Sequence, residues 1–262
     1  MLTPNQYCLI NGEQLDGVPA CLYTAKANQH ARKLAQSDWL IRDKKNGKYV
    51  ATVRNQSVRF FQNSAFNAKR LEAINELFSV AMHANQTRPI NDVLKLVESL
   101  DIDVEQYSSA HQLELVAEPY VLEYADKDRY QRALWLEYNT KQAWQRMQRS
   151  AECDDVILEA ISGFRGHHYQ MGIFKRKMAR GLIVNEILSV NAAPGFSEHH
   201  SGRALDISTL NEPAAEQSFE QTAAFNWLNK FAGDFGFRLS YPRNNIHGMN
   251  YEPWHWYYQG ND

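Results

Sequence analysis

The fold is decided by two stretches, Ser197-Glu198-His199-His200-Ser201-Gly202-Arg203-Ala204-Leu205-Asp206 and Tyr251-Glu252-Pro253-Trp254-His255-Trp256. Each stretch combines histidine with carboxylate side chains, which are common ligands of catalytic zinc. The two stretches together therefore indicate a metal site. We expect the rest of the chain to supply scaffold, walls that face a substrate, and a separate small domain.

The residue types of the two stretches fit a hydrolytic zinc centre. Such a centre takes three protein ligands and leaves one position for water, whose pKa the ion lowers to about 7. His199 and Asp206 can be ligands from the first stretch, and His255 can be the third. By composition alone His200 is an alternative to His199. Glu252 can act as the base that takes the proton of the water.

The backbone around these residues supports this division of roles. Pro253 disfavours helix at Glu252, so the segment is expected to be extended or sharply turned rather than a His-Glu-x-x-His helix. Gly202 fits a turn close to the metal, and Ala204 fits a position without room for a larger side chain. Four other histidines are expected to be surface or hydrogen-bonded residues: His167, His168, His200 and His247. The aromatic residues near the end of the sequence are expected to belong to the core: Trp254, Trp256, Tyr257 and Tyr258.

Composition and charge indicate a globular protein whose main partner is not nucleic acid. The chain has 262 residues, 44% of them hydrophobic, and a formal net charge of −2, which excludes nucleic acid as the main partner. The three cysteines, Cys8, Cys21 and Cys153, have no paired spacing, so we expect free thiols. Residues 1–6 do not resemble the start of a signal peptide, and no apolar run is long enough to span a membrane. We therefore expect a cytoplasmic protein without membrane insertion, and the oligomeric state stays open.

Three regions are predicted along the chain: a small α+β domain of unassigned role at 1–85, a linker or helical connection at 86–125, and a domain at 126–262 that carries the candidate zinc site. In the first, Asn46-Gly47 predicts a β-hairpin. The elements expected in the first two regions are helices at 25–36, 68–84 and 93–100, strands at 39–42, 49–53 and 57–61, and a loop at 101–119.

The third region is predicted to be α+β, with a small antiparallel sheet and flanking helices that hold the zinc site. Its expected helices are 126–149, 168–190 and one within 213–235. Its expected strands are 156–161, 204–208, 237–241 and 255–258.

Three separated motifs resemble the VanY-like zinc D-Ala-D-Ala carboxypeptidases, which have the Hedgehog/DD-peptidase fold. The first two are Ser197-x-His199-x-x-Gly202-x-Ala204-x-Asp206 and Glu252-Pro253-Trp254-His255. The third is Ser162-Gly163-Phe164-Arg165, with Gln170 five residues on, and Tyr241-Pro242 also fits. The resemblance covers about residues 126 to 260. The sequence departs from the family pattern at Gly166, His247-Gly248 and Tyr257, which affects substrate choice rather than the metal site.

The resemblance implies roles for individual residues. His199, Asp206 and His255 would ligate Zn²⁺, since the register of the pattern selects His199 over His200, and Glu252 would be the general base. Arg165 would face the substrate and stabilise the oxyanion or hold a terminal carboxylate.

Ser197 and Gln170 would be further substrate contacts by the same resemblance. The implied reaction is removal of a terminal D-amino acid such as D-Ala from a peptidoglycan stem peptide. The alternatives are a peptidoglycan endopeptidase and a non-catalytic zinc-binding module, as in the Hedgehog signalling domain. The retained Glu252 and Arg165 argue against the non-catalytic module.

Overall fold

The computed structural model describes residues 7–24, 28–61, 68–80 and 86–260. Contacts divide the chain into two compact units, each described here by itself. Unit 1 comprises Met1–Arg88 and Pro119–Tyr124, and unit 2 comprises Pro89–Glu118 and Ala125–Asp262. Both contain antiparallel strands and helices, so the predicted α+β class is confirmed. The domain boundaries near residues 85 and 125 stay a prediction.

Unit 1 is built on antiparallel strands in the order β5-β4-β3-β2-β1-β6. These strands are β1 (Cys8–Asn11), β2 (Leu15–Pro19), β3 (Trp39–Asp43), β4 (Tyr49–Arg54), β5 (Ser57–Phe60) and β6 (Val121–Lys127), of which residues 121–124 belong to unit 1. The helices are α1 (Asn28–Ala35) and α2 (Ala68–Val80). The core is formed by apolar side chains of the sheet together with Ile74 and Leu77 of α2.

The predicted hairpin and the third strand are confirmed in unit 1. β3 and β4 pair antiparallel across a turn in which Gly47 has a φ of 71°, and β4 pairs with β5. The left-handed φ is the reason a glycine suits this turn. The predicted helices at 25–36 and 68–84 include residues 25–27 and 81–84, which lie outside the described residues.

Unit 2 surrounds a four-stranded antiparallel sheet in the order β10-β11-β9-β8. The strands are β8 (Glu159–Ser162), β9 (Ala204–Ser208), β10 (Phe237–Leu239) and β11 (His255–Tyr258), with β7 (Ala133–Leu136) outside that sheet. The helices are α3 (Asn91–Glu98), α4 (Val104–His111), α5 (Tyr138–Cys153), α6 (His167–Met178), α7 (Val184–Leu188) and α8 (Ala223–Phe231).

Two apolar clusters flank the sheet of unit 2. In the larger, α5 and α8 pack on β9 through Trp144, Trp227 and Leu205, and Trp256 joins them, as expected for the closing aromatic residues. In the second, α3 and α4 pack with Phe196 and the ring of Tyr241. These clusters fix both the central strand and the loop that leads into Ser197.

The prediction of a helix over residues 126–149 is wrong in its first half. Residues 133–136 form strand β7, and α5 begins only at Tyr138 because the Glu137 side chain caps it by accepting from the backbone N–H of Thr140. Ala-Leu-Trp-Leu is a continuous apolar run, and periodicity does not distinguish such a strand from a buried turn of helix.

Two further predictions of secondary structure differ from the structure. The expected loop at 101–119 contains helix α4, which Asp103 caps through a 2.9 Å hydrogen bond from the backbone N–H of Gln106. The expected single helix at 168–190 is divided into α6 and α7 because Gly181, with a φ of 93°, ends the first helix.

The remaining expectations for the fold concern the membrane and the cysteines. In the part of the chain that the structure describes, each helix is too short or too polar to cross a membrane. Cys8, Cys21 and Cys153 have free thiols, as expected.

Gly163 provides a test of packing in unit 2. An added Cβ there would lie 2.7 Å from Leu134 Cδ1 and 3.0 Å from the Trp135 carbonyl oxygen. We expect Gly163→Ala to destabilise the protein by about 1–3 kcal/mol through overpacking, measured by urea unfolding. The matched control is Gly233→Ala, whose Cβ would meet no described atom within 4 Å. Equal losses in both variants would contradict the packing.

Candidate metal centre

The centre is assembled by the pairing of two strands of unit 2 and by the turn that precedes one of them. His255 on β11 lies directly opposite Asp206 on β9 in the antiparallel register, so both side chains are on the same face of the sheet. The residues of the first stretch, Glu198–Ser201, form a 3₁₀ turn that ends at Gly202, whose φ is 70°. This left-handed turn brings His199 back over Asp206.

Asp206 connects the histidines to Arg165. Its Oδ1 lies 3.3 Å from His199 Nε2 and 3.2 Å from His255 Nδ1. Its Oδ2 accepts a 3.3 Å hydrogen bond from Arg165 Nη1. Burial would raise the pKa of this carboxyl, but His199, Arg165 and the hydrogen bonds hold it well below its ordinary value. Asp206 is therefore ionised, with one oxygen directed at the two imidazoles.

His199 is fully buried and has one ring nitrogen committed to the backbone. Its Nδ1–H donates to the Gly163 carbonyl oxygen at 2.7 Å, which leaves Nε2 as a lone-pair donor. Among the described residues, Nε2 has no hydrogen-bond partner. Burial and the neighbouring Arg165 lower the pKa of His199 to about 4, so the ring is neutral. Two acceptor atoms, Nε2 and Asp206 Oδ1, thus face each other.

His255 lies between two carboxylates. Nε2 is 2.8 Å from Glu198 Oε2, and Nδ1 is 3.2 Å from Asp206 Oδ1. Burial would lower the pKa of this imidazole, but its hydrogen bonds to Asp206 and Glu198 and their charges raise it to about 10. In the metal-free site His255 is therefore a cation.

The three side chains His199, Asp206 and His255 fit a divalent metal. They are all buried, and one ligand atom from each lies within 4.8 Å of the others. Ligands about 2.0–2.1 Å from a tetrahedral zinc ion lie about 3.3 Å apart, close to the two distances that join Asp206 Oδ1 to the imidazoles. A cation would bridge the opposed acceptor atoms of His199 and Asp206, and two nitrogens with one carboxylate oxygen are a typical zinc donor set.

His200 has a structural role instead. Its Nδ1–H donates to the Arg165 carbonyl oxygen at 2.5 Å, and its Nε2 accepts from the Gly195 N–H at 3.1 Å. Burial and the neighbouring His167 lower the pKa of His200 well below its ordinary value. Both ring nitrogens are thus occupied, and the expectation that His200 is a hydrogen-bonded histidine is confirmed. The same holds for His167, whose Nε2 lies 2.8 Å from the Val116 carbonyl oxygen.

Glu252 lies beside the three side chains, as the sequence predicts. Its Oε2 is 3.9 Å from His255 Nδ1, and its backbone N–H donates to the Tyr241 carbonyl oxygen at 3.1 Å. Burial raises the pKa of Glu252 to about 7; His255 and Arg165 lower it in part, while Asp206 and Glu198 add to the rise. A carboxyl with this pKa can both take and give a proton near neutral pH.

The three predicted substrate-binding residues, Arg165, Ser197 and Gln170, differ in their positions in the fold and in their hydrogen bonding. Arg165 lies at the centre, and its Nε is buried without a hydrogen-bond partner among the described residues. Ser197 is buried and immediately precedes the 3₁₀ turn. Gln170 lies on α6, where its Nε2 donates to the Ala192 carbonyl oxygen at 2.9 Å and its Oε1 is buried without a described partner.

Sequence reasoning missed two residues of the centre. Glu198 contacts His255 through Oε2 and accepts a 3.2 Å hydrogen bond from Arg238 Nη2 through Oε1. Burial would raise the pKa of Glu198, but the His255 and Arg238 interactions lower it. A carboxylate next to His199 was a usable signal for Glu198. Arg238 gave none, because its position depends on the pairing of β10 with β11.

Comparisons with known proteins match part of the chain to one family and several relatives. The family model described as "VanY: D-alanyl-D-alanine carboxypeptidase" matches residues 133–261. A relative named "Putative carboxypeptidase YodJ", from Bacillus subtilis (strain 168), is 35% identical over 115 residues, which are 42% of this chain and 41% of that protein. VanXYC from Enterococcus gallinarum, named a bifunctional D-Ala-D-Ala dipeptidase and D-Ala-D-Ala carboxypeptidase, is 27% identical over 48% of this chain and 68% of its own length. The chain thus covers less than half of YodJ.

Two solved structures are similar to about half of the chain. The LdcB LD-carboxypeptidase is 29% identical with a TM-score of 0.49, covering 52% of this chain and 66% of that one. VanYB, solved with D-alanine-D-alanine, is 26% identical with a TM-score of 0.43, covering 53% of this chain and 77% of that one.

Substitution of the adjacent histidines distinguishes ligand from scaffold. His199→Ala removes one of the three metal ligands, so we expect the affinity for a divalent metal to fall by more than about 100-fold. Loss of a residue that only hydrogen-bonds a ligand usually lowers metal affinity by about 10–100-fold. His200→Ala keeps all three donors but leaves two buried backbone groups unpaired, so we expect the protein to lose about 1–3 kcal/mol of stability while metal still binds. Chelator competition and urea unfolding measure the two effects; metal loss confined to His200→Ala would reverse the assignment.

The stability of the metal-free protein should depend on pH through His255. Because its pKa is raised from 6.5 to about 10, its contribution is complete below pH 6.5 and is lost as the pH rises toward 10. We expect the free energy of unfolding in chelator to fall across this window and His255→Gln to show a flatter profile. The same slope in both proteins would contradict the proposed ion pairs.

Proposed function

We propose that this protein, whose residues 133–261 match the VanY family model, is a zinc carboxypeptidase that removes a terminal D-amino acid, D-Ala in the first instance, from peptidoglycan stem peptides. The observation that carries the proposal is the buried His199, Asp206 and His255 cluster with Glu252 beside it. The names of the relatives support the choice of a D-Ala-D-Ala substrate. The predicted cytoplasmic location stays a prediction.

In this proposal His199, Asp206 and His255 would hold zinc, and the bound ion would supply Lewis-acid chemistry that activates water at neutral pH. Glu252 takes a proton from the attacking water and delivers it to the nitrogen of the departing amino acid as the C–N bond breaks. Its Oε2 lies 3.9 Å from His255 Nδ1, close enough to the ligand atoms for a proton to pass between the attacking water and the leaving nitrogen.

Arg165 is proposed to hold the substrate. Its Nη1 is paired with Asp206 Oδ2, while the buried Nε has no described partner. The backbone fixes the residue on both sides, since its N–H donates to the His199 carbonyl oxygen and its own carbonyl accepts from His200. A guanidinium fixed in this way can bind a terminal carboxylate or the developing oxyanion.

Ser197 and Gln170 complete the proposed substrate contacts. Ser197 is next to the turn that carries His199, so its hydroxyl can add a hydrogen bond to the bound peptide. For Gln170, whose Nε2 is used by Ala192, the buried Oε1 is the atom that would make the contact. A buried acceptor without a partner is costly, which favours a role in binding a donor.

Replacement of Glu252 tests the mechanism. Glu252→Gln keeps the shape of the side chain but cannot transfer the proton, so we expect kcat to fall by about 10²–10⁴-fold with the zinc content unchanged. Release of D-Ala from a synthetic pentapeptide, measured beside metal content, gives both quantities. The control is Glu220→Gln, a partly exposed carboxylate paired with Arg243 at 2.8 Å, which should keep wild-type activity.

The same assay separates the alternatives when it includes tripeptide, tetrapeptide, pentapeptide and intact sacculi. Cleavage only within the stem peptide would replace the carboxypeptidase by an endopeptidase. Zinc binding without release from any substrate, together with no effect of Glu252→Gln on any measured property, would identify a non-catalytic zinc-binding module.

A further inference from the structure

The imidazole of His255 has a different partner at each nitrogen. Nδ1 lies 3.2 Å from Asp206 Oδ1, on the side of the other ligand atoms, and Nε2 lies 2.8 Å from Glu198 Oε2. An ionised carboxylate accepts hydrogen bonds and cannot donate them. Nε2 must therefore carry its hydrogen, and Nδ1 is the atom that can give a lone pair to a metal.

Glu198 is itself held in place. Its Oε1 accepts from Arg238 Nη2 at 3.2 Å, so each carboxylate oxygen has its own partner. Arg238 lies on β10 opposite Tyr257 of β11, the strand that carries His255. The side chain of Glu198 is only 14% exposed, so little water competes for these hydrogen bonds. Both its oxygens are thus engaged by Arg238 and His255, and Glu198 is not in the cluster of candidate ligands.

Packing alone does not select the orientation of the His255 ring. The rings of Tyr241 and His199 lie against it, each with its centroid 4.8 Å away. A half-turn of the imidazole would leave its outline nearly unchanged, but it would replace Nδ1 by a carbon atom at the metal side. It would also break the contact between Nε2 and Glu198. The hydrogen bond to Glu198 is thus the contact that distinguishes the two orientations.

We propose that Glu198 is a positioning residue of the metal centre, which holds Nε2–H of His255 so that Nδ1 faces the ion. This inference deepens the proposed function and rests on its zinc site. A carboxylate on the second nitrogen of a metal-bound imidazole fixes the tautomer and strengthens the donor, and its loss costs about 10–100-fold in metal affinity. Arg238 supports this effect by donating to the other oxygen of the Glu198 carboxylate, which fixes its orientation.

The test compares zinc affinity of the full chain and three variants by chelator competition. Glu198→Ala removes the acceptor, so we expect affinity to fall by about 10–100-fold. Glu198→Gln keeps a neutral acceptor for Nε2–H, so we expect a loss smaller than that of the alanine variant. Glu220→Ala removes a carboxylate that pairs with Arg243 and not with a candidate ligand, and should leave affinity unchanged.

Histidine nitrogen NMR supplies a readout that a merely structural role would not move. In the zinc-loaded wild type we expect His255 to be protonated at Nε2 and metal-bound at Nδ1, and in Glu198→Ala we expect this signature to be weakened or mixed. Unfolding of each variant in chelator identifies any that fails to fold, in which case Glu198→Gln decides the outcome. Wild-type zinc affinity and an unchanged nitrogen signature in folded Glu198 variants would overturn the proposal.

The outcome is separable from that of the proposed function. Zinc binding that depends on Glu198, without hydrolysis of any stem peptide, would refute the carboxypeptidase activity and support the positioning role. Hydrolysis with zinc affinity that is insensitive to Glu198 would do the reverse. A wild-type chain that does not bind zinc would refute both.

Discussion

The antiparallel pairing of β9 with β11 is the constraint on which the metal centre depends. It places Asp206 opposite His255, and a slip of one residue would turn one of these side chains to the other face. The register is fixed by burial, since every residue of β9 is buried and Leu205 and Ile207 are fully so. The large apolar cluster around α5 and α8 thus determines where the ligands meet.

The same pairing requires that the buried charges be balanced. Asp206 and Glu198 are carboxylates in a nearly dry environment, where an unpaired charge would be costly. Arg165 and Arg238 each pair with one of them, and His255 lies between the two. The cluster is therefore compatible with a folded metal-free state, and its polar contacts hold the ligands close to the positions that a metal requires.

The sequence predicted the chemistry of the centre better than its supporting contacts. His199, Asp206, His255 and Glu252 were identifiable because their spacing around turn-forming residues forms a pattern, and the structure brings them together. The strand at 133–136 was missed because a short apolar run has no distinctive period. The ion pair of Arg238 with Glu198 could not be read from the sequence, since it depends on strand pairing between distant segments.

The 3₁₀ turn at Glu198–Ser201 shows why residue type alone did not assign the histidines. With three residues per turn, successive side chains point about 120° apart. Glu198 therefore reaches β11, His199 reaches the ligand cluster, and His200 reaches the carbonyl of Arg165. His199 and His200 are chemically identical, and their roles differ because of the direction each takes from this turn. One short turn thus links the metal ligands, their outer carboxylate and the segment that carries the proposed substrate arginine.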